Sequence, residues 1–321
     1  MTIFFIFCHI WHCQSVNNWL GMEKENGGMM GGTRMRKNKE QVIMSHNNQK
    51  KIAVINDISG FGRCSIAVAM PIISYMGLQC CPLPTSIFSN HTGFESFYYT
   101  DFTEHMVPYM NEWKKLGLEF SGIMTGFLGS KEQIDIVRSF IQDFKNTDTT
   151  VIMDPAMGEN GHPYPTYTKE MCQEMKRLIA YADIITPNVT EACILTDTPY
   201  KESGFTKVEL YDMAKRLMET GAKKVAISGV RMGNYVGNVV AEQQGDIHLI
   251  KHAKIGNYRS GTGDIYAAII ASDSVNQIDF SQSVKKASDF VKKCLKATDA
   301  LAIPATDGLA FEEVLYTLKR R

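Results

Sequence analysis

Gly261-Thr262-Gly263-Asp264 stands immediately before an apolar run, Ile265 to Ala271, of helical length. Glycines ahead of a helix let the backbone approach a ligand closely, and the unpaired N–H groups of the first turn favour an anion. Such a turn can cradle a phosphate. An Asp in the same turn can also accept a proton from an attacking hydroxyl. The same four residues also read as a tight turn whose carboxylate complements the helix dipole, so the motif alone leaves both accounts open. The chain has no G-x-x-x-x-G-K-[ST] and no G-x-G-x-x-G after a strand, so neither a P-loop nor a dinucleotide fingerprint competes for the anion.

The elements that must position this turn are legible from Lys51 onward. Short apolar or β-branched runs alternate with amphipathic stretches, the pattern of a mostly parallel sheet between helices. The runs are 51–56, 121–125, 150–154, 183–186 and 224–228, and each ends in a polar residue. In open α/β sheets ligands collect at the carboxyl ends of strands, which singles out Asn56 to Ser59, Thr125 and Gly126, Asp154, Thr186 to Glu191, and Ser228 with Gly229. Helix ends are readable as well. Thr103 opens a helix that Gly117 closes, Thr206 begins a capping box whose helix stops at Gly221, and Asn188 begins a second box with Glu191. The segments 235–242 and 246–252 read as a hairpin, and a last helix spans about Ser281 to Ala297.

With 321 residues, 44% of them hydrophobic, the chain can bury a large core, and no repeat of 20 to 50 residues is present. Its 34 basic and 34 acidic residues balance, so no global field draws nucleic acid or a membrane surface, and the expected partner is a small molecule. Eight cysteines without a C-x-x-C pair suit a reducing, cytoplasmic setting. Cys8, His9, His12 and Cys13 raise a zinc reading that nothing around them supports. Residues 1–49 have no sustained period and read as a disordered leader or an upstream start, with Met22 or Met44 as alternative initiators. Residues 50–321 read as one α/β domain.

Taken in order, "NDISGFGRCS" (56–65), "SIFSNHTGF" (86–94), "MTGFLGS" (124–130), "MDPAMGENG" (153–161), "DIITPNVTEA" (183–192) and "SGTGD" (260–264) resemble the ribokinase-like small-molecule kinases. Among these the chain looks most like the vitamin B6 kinases, which "SNHTG" separates from the sugar kinases. The resemblance implies a three-layer α/β/α fold with a central, mostly parallel sheet, and ATP-dependent phosphorylation of the 5′-hydroxymethyl of pyridoxal, pyridoxamine or pyridoxine. On that resemblance Asp264 is the general base, and the N–H groups of Gly261, Thr262 and Gly263 form an anion hole. Ser59 and Thr92 match positions at the polar edge of the pyridine ring, and Phe88 and Phe127 match the pocket walls. Asp154, Thr186, Asn188, Glu191 and Ser228 fall on the ATP side, with Asp154, Glu159 and Glu191 toward Mg²⁺, partly through water. A monovalent cation and a homodimer are further family traits.

Bland readings stand beside these. Asn188 is also a helix cap, Ser59 a turn residue, Glu159 a solvated carboxylate, and His91 a neutral histidine bonded beneath its loop. The chain departs from the family at "SGVRMG" (228–233), where Arg231 does not match the basic residue that some B6 kinases place there. The rivals are a hydroxymethylpyrimidine or sugar kinase of the same fold, and a non-catalytic vitamer-binding protein. The pyrimidine kinases often carry Cys at the position of Asp264, and the sugar kinases carry an N-terminal Gly-Gly-x-x-x-Asn pattern that this chain lacks.

Overall fold

The computed structural model describes residues 45–256 and 259–318. The Cys8–Cys13 cluster, Met22 and Met44, nearly all of the 1–49 segment, and Tyr258 lie outside the described residues. Among the described residues nine strands form one sheet: β1 (Lys51–Ser59), β2 (Gln79–Phe88), β3 (Tyr99–Asp101), β4 (Gly122–Thr125), β5 (Thr150–Met153), β8 (Ile184–Ile185), β9 (Lys224–Met232), β10 (Tyr235–Glu242) and β11 (His248–Ala253). Their order is β11-β10-β9-β8-β5-β4-β1-β2-β3, with β6 (Gly158–Glu159) and β7 (His162–Pro163) as a separate small hairpin. All pairs from β2 through β9 are parallel, and β3, β10 and β11 add antiparallel edges.

The strands are apolar on both faces because both faces are covered. Ala53, Ile55, Ile123, Val151, Met153, Ile185, Val225 and Ile227 point into one core. That core packs under α2 (Thr103–Lys115), α3 (Lys131–Phe144), α4 (Lys169–Leu178), α5 (Val189–Leu195) and α6 (Lys207–Glu219). Ile52, Val54, Met124, Ile152, Ile184 and Ala226 alternate with them into a second core, under α1 (Ser65–Tyr75), α7 (Thr262–Val275) and α8 (Phe280–Ala300). The three expected layers are therefore present. None of the helices described is long and apolar enough to cross a membrane.

Every anticipated strand run forms, and the 235–242/246–252 hairpin pairs antiparallel from Tyr235↔Ala253 to Val240↔His248. Both capping boxes close: Asn188 and Thr206 each accept the N–H of the third residue on, Glu191 or Glu209, whose carboxylate takes the cap's own N–H. The strand that sequence patterning hides is β2, because Pro82 and Pro84 interrupt it. Its carbonyl at Pro82 accepts the Tyr109 hydroxyl of α2 at 3.1 Å, so the side on which proline lacks its donor faces away from β1. β3 covers that outer side only from Ser86 to Phe88, and the prolines sit where a donor has no strand to serve.

Helix α7 is buried almost all round, from Ile265 to Asp273, between α1, α8 and the sheet. Even its one deeply buried charge is paired, Asp273 with Lys286 at 2.8 Å. A helix packed on every side has little freedom to shift, so its first turn is held at the strand ends by the body behind it.

Candidate active site

The carboxyl ends of β1 and β5 meet the first turn of α7 through Asn56 and Asp154. Gly261 caps that helix in the left-handed region at φ 80°, and a Cβ there would meet the Arg63 carbonyl oxygen at 2.1 Å. Gly263 is exposed, and a Cβ on it would stand 3.5 Å from Asp154 Oδ2, which puts the glycine turn against the end of β5. Thr262 turns its hydroxyl back to the Arg259 carbonyl at 2.8 Å. The first N–H groups of the helix thus lie over an open face with no intrahelical acceptor.

Asp264 is half-buried, and its Oδ1 accepts the Asn56 amide N–H at 3.2 Å. Burial pushes its carboxyl above the ordinary range, against the pull of the Ser65 backbone N–H and the Asn56 amide. Ser65 donates its hydroxyl to Asp57 Oδ1 at 2.6 Å, and its left-handed φ of 55° lets one residue serve both carboxylates. Ser59 also donates to Asp57, at 3.1 Å. Cys64, buried beside these acids, has its thiol pushed up to about 12, first by burial and then by Asp264 and Asp57, and stays protonated.

Asp154 is half-buried at the end of β5, and its carboxyl is pushed well up by burial, then by Glu191 and Asp264. Glu191 is also pushed up by burial, although the N–H groups of Asn188, Met157 and Gly158 oppose the shift. Its two oxygens accept from Met157 at 2.9 Å and Asn188 at 2.8 Å. Asn188 caps α5, and its amide also donates to the Gly158 carbonyl at 2.9 Å. Thr186 is buried with its hydroxyl unpaired, and Ser228 bridges to Asn188 as its N–H bonds the Pro187 carbonyl at 2.9 Å. Glu159 lies half-buried on the β6–β7 hairpin, close enough to raise Glu191. Arg231 donates to Asn160 and Glu202 rather than toward the acidic cluster.

Aromatic rings line the opposite side. Phe88 stacks on Tyr99 at 5.4 Å and meets Phe127 edge-on at 6.5 Å. Thr92 is exposed on the intervening loop, and the hydroxyl of Ser59 is turned into the buried Asp57. His91 accepts from Gly93 N–H at Nδ1, and its Nε2 lies 2.7 Å from the Thr306 carbonyl, so the ring ties its loop to a distant one. The sequence reading did not give Asn56, Asp57 or Tyr99 a role. The polar end of β1 pointed toward the first two, while Tyr99 lies on the short β3, which no pattern marks.

Asp57 supplies a pH signature. Burial, then repulsion from Asp264, raises its carboxyl from an ordinary 3.8 to about 6, despite the Ser65 and Ser59 hydroxyls. The native state therefore binds a proton more tightly than the unfolded chain between those values, and this group's contribution to stability falls as pH rises through the window. Asp57→Asn removes that slope. Urea denaturation at pH 4.5 and 7.5 is expected to show the variant gaining about 2 kcal/mol relative to wild type between the two. An unchanged difference would assign the slope to other groups.

A mostly parallel sheet between two layers of helices, with a glycine turn and an aspartate at the carboxyl ends of its strands, is the ribokinase-like fold of small-molecule kinases. The sequence model of the phosphomethylpyrimidine kinase family matches residues 73–308, and the chain belongs to that family. A crystal structure of a putative phosphomethylpyrimidine kinase from Bacteroides thetaiotaomicron is 36% identical and superposes with a TM-score of 0.84, covering 87% of this chain and 96% of that one. A second crystal form, with pyridoxal, gives a TM-score of 0.80 over 84% and 96% of the two chains. The chloroplastic thiamine biosynthetic bifunctional enzyme TH1 of Arabidopsis thaliana is 27% identical over 78% of this chain, which spans about half (47%) of that enzyme. The pyridoxine/pyridoxal/pyridoxamine kinase of Bordetella avium is 25% identical over 74% of this chain and 82% of its own length.

Proposed function

We propose that the protein transfers the γ-phosphoryl group of ATP to the 5′-hydroxymethyl of a B6 vitamer, pyridoxal, pyridoxamine or pyridoxine. The observation that carries this reading is Asp264, in the glycine turn at the head of α7 and bonded to Asn56, whose amide also holds the backbone of Phe127 beside Phe88. An aromatic ring seated against that wall would place its hydroxymethyl at Asp264. The carboxylate takes the hydroxyl proton as the oxygen attacks phosphorus, and the N–H groups of Gly261 to Gly263 receive the charge that develops on the equatorial oxygens. The Bacteroides thetaiotaomicron protein crystallised with pyridoxal supports the choice of vitamer.

Mg²⁺ suits the acids of this site. Burial, then Glu191 and Asp264, raise the Asp154 carboxyl, and burial, with Glu159 beside it, raises Glu191, a penalty that a divalent cation would relieve. Both Glu191 oxygens already serve backbone donors, so Asp154 would take the ion directly, with Glu191 and Glu159 acting through water. Among the described residues no three His, Cys, Asp or Glu side chains form a closed metal site, and Mg²⁺ in kinases relies on one or two carboxylates together with the phosphates. The bound ion would neutralise triphosphate charge. Thr186, with its unpaired buried hydroxyl, and Ser228 would face the nucleotide.

The family match favours a second reading, phosphorylation of hydroxymethylpyrimidine. ADP release measured against pyridoxal, pyridoxamine, pyridoxine and hydroxymethylpyrimidine separates the two. The proposal expects kcat/KM for at least one vitamer to exceed that for the pyrimidine by tenfold or more, about 1.4 kcal/mol. The reverse order would assign the pyrimidine, and binding without ATP turnover would make the chain a vitamer-binding protein.

A further inference from the structure

Asn56 is 1% exposed at the end of β1, and its amide touches three separate parts of the chain. Oδ1 accepts the N–H of Asp57 at 2.9 Å and of Phe127 at 2.8 Å, and Nδ2 donates to Asp264 at 3.2 Å. The orientation of the amide follows from those partners. Turning it over would set its oxygen against a carboxylate and leave two backbone donors facing an NH₂ group. The donor end therefore has to face Asp264. The loop after β4 closes tightly over the amide, because a Cβ on Gly126 would fall 2.3 Å from Nδ2, so only glycine fits there.

We propose that Asn56 is a positioning residue, which aims the Asp264 carboxylate at the substrate hydroxyl and ties that aim to the backbone of the Phe127 wall. This rests on the reading of Asp264 as base. A carboxylate on a fixed helix still has a free side-chain torsion, and a donor on a strand of the central sheet removes it. The same amide carries Phe127, so the ring wall and the base keep one spacing. Misplacing a reacting group by about 1 Å can cost about 10²-fold in rate, which sets the scale of the expected effect.

The alternative is that Asn56 only ties β1 to the loop after β4. Asn56→Asp separates the two, since a carboxylate of nearly the same shape can keep both backbone N–H bonds while it replaces the donor to Asp264 with an oxygen that repels it. The measurement is steady-state kinetics of Asn56→Asp, Asp264→Asn and the double variant, with circular dichroism to establish folding. Asn56→Asp is expected to lower kcat about 10- to 100-fold while the KM values for vitamer and ATP move less than about threefold. On the Asp264→Asn background the same change is expected to alter kcat less than about twofold, because the group it aims is no longer a base.

Full activity in Asn56→Asp, or an equal loss on both backgrounds, would overturn the positioning role. Asn56→Ser, which keeps a small polar side chain, stands in if the Asp variant does not fold, and failure of both to fold would assign the amide to stability alone. Wild-type turnover in Asp264→Asn by itself would instead overturn the base assignment, and the single variant reports that separately.

Discussion

Asp264→Asn is expected to fold normally, bind vitamer and ATP as the wild type does, and lose about 10²- to 10⁴-fold in kcat, the range that a positioned general base supplies. The substitution is nearly isosteric, and its carbonyl can still accept the Asn56 amide that reaches Oδ1 at 3.2 Å. Stability is not expected to fall. Burial raises the Asp264 carboxyl, so the ionised form is the one disfavoured by folding, and a neutral amide avoids that cost. A carboxylate whose pKa is raised is also a stronger proton acceptor than an exposed aspartate. The check is ADP release under saturating substrates, alongside calorimetric titration of pyridoxal. Turnover within threefold of wild type would remove Asp264 from the chemistry.

Gly261→Ala is expected to be more damaging to the fold than any nearby surface change, costing more than about 3 kcal/mol and abolishing turnover in what remains folded. Two effects add. An L residue at φ 80° costs about 1–2 kcal/mol by itself. The new Cβ then meets the Arg63 carbonyl oxygen at 2.1 Å and Cys64 Cα at 3.5 Å, both backbone atoms that cannot rotate away. Relief has to come from moving α7 or the 60–65 loop, and either motion carries the anion hole with it. Gly233→Ala isolates the first effect, because Gly233 sits at φ 61° with nothing within 4 Å of its Cβ. Urea midpoints measured together should place Gly233→Ala below wild type by that first cost, about 1–2 kcal/mol, and Gly261→Ala well below both. Equal midpoints would show that the contact with Arg63 yields freely.

Much of this fold could be read from residue patterns. The double-sided apolar strands announce a sheet covered on both faces, and Asn188 and Thr206 mark their helices because a capping box is written within four residues. Strand β2 escapes such a reading, since its prolines are tolerable only if the neighbouring edge lacks a partner, and that depends on the finished sheet. The site divides in the same way. The Gly261–Asp264 turn is local and visible, whereas the bond between Asn56 and Asp264 joins residues 208 positions apart, and no spacing rule signals it. His91 stands in a recognisable "SNHTG" segment, yet its carbonyl partner, Thr306, lies in a distant loop, so its structural task emerges only once the chain is folded.

The two prolines of β2 also bear on how this chain avoids its neighbours. A sheet border with a row of free donors and acceptors is a template on which another polypeptide can add a strand, the first step of many aggregates. From Gln79 to Thr85 the outer side of β2 is not paired with β3, but Pro82 and Pro84 withhold alternate donors from it, and the Tyr109 hydroxyl claims one of its acceptors. An approaching strand would find a broken ladder. The interruption that hides β2 from pattern reading thus keeps the border beside the aromatic wall of the site closed to stray chains.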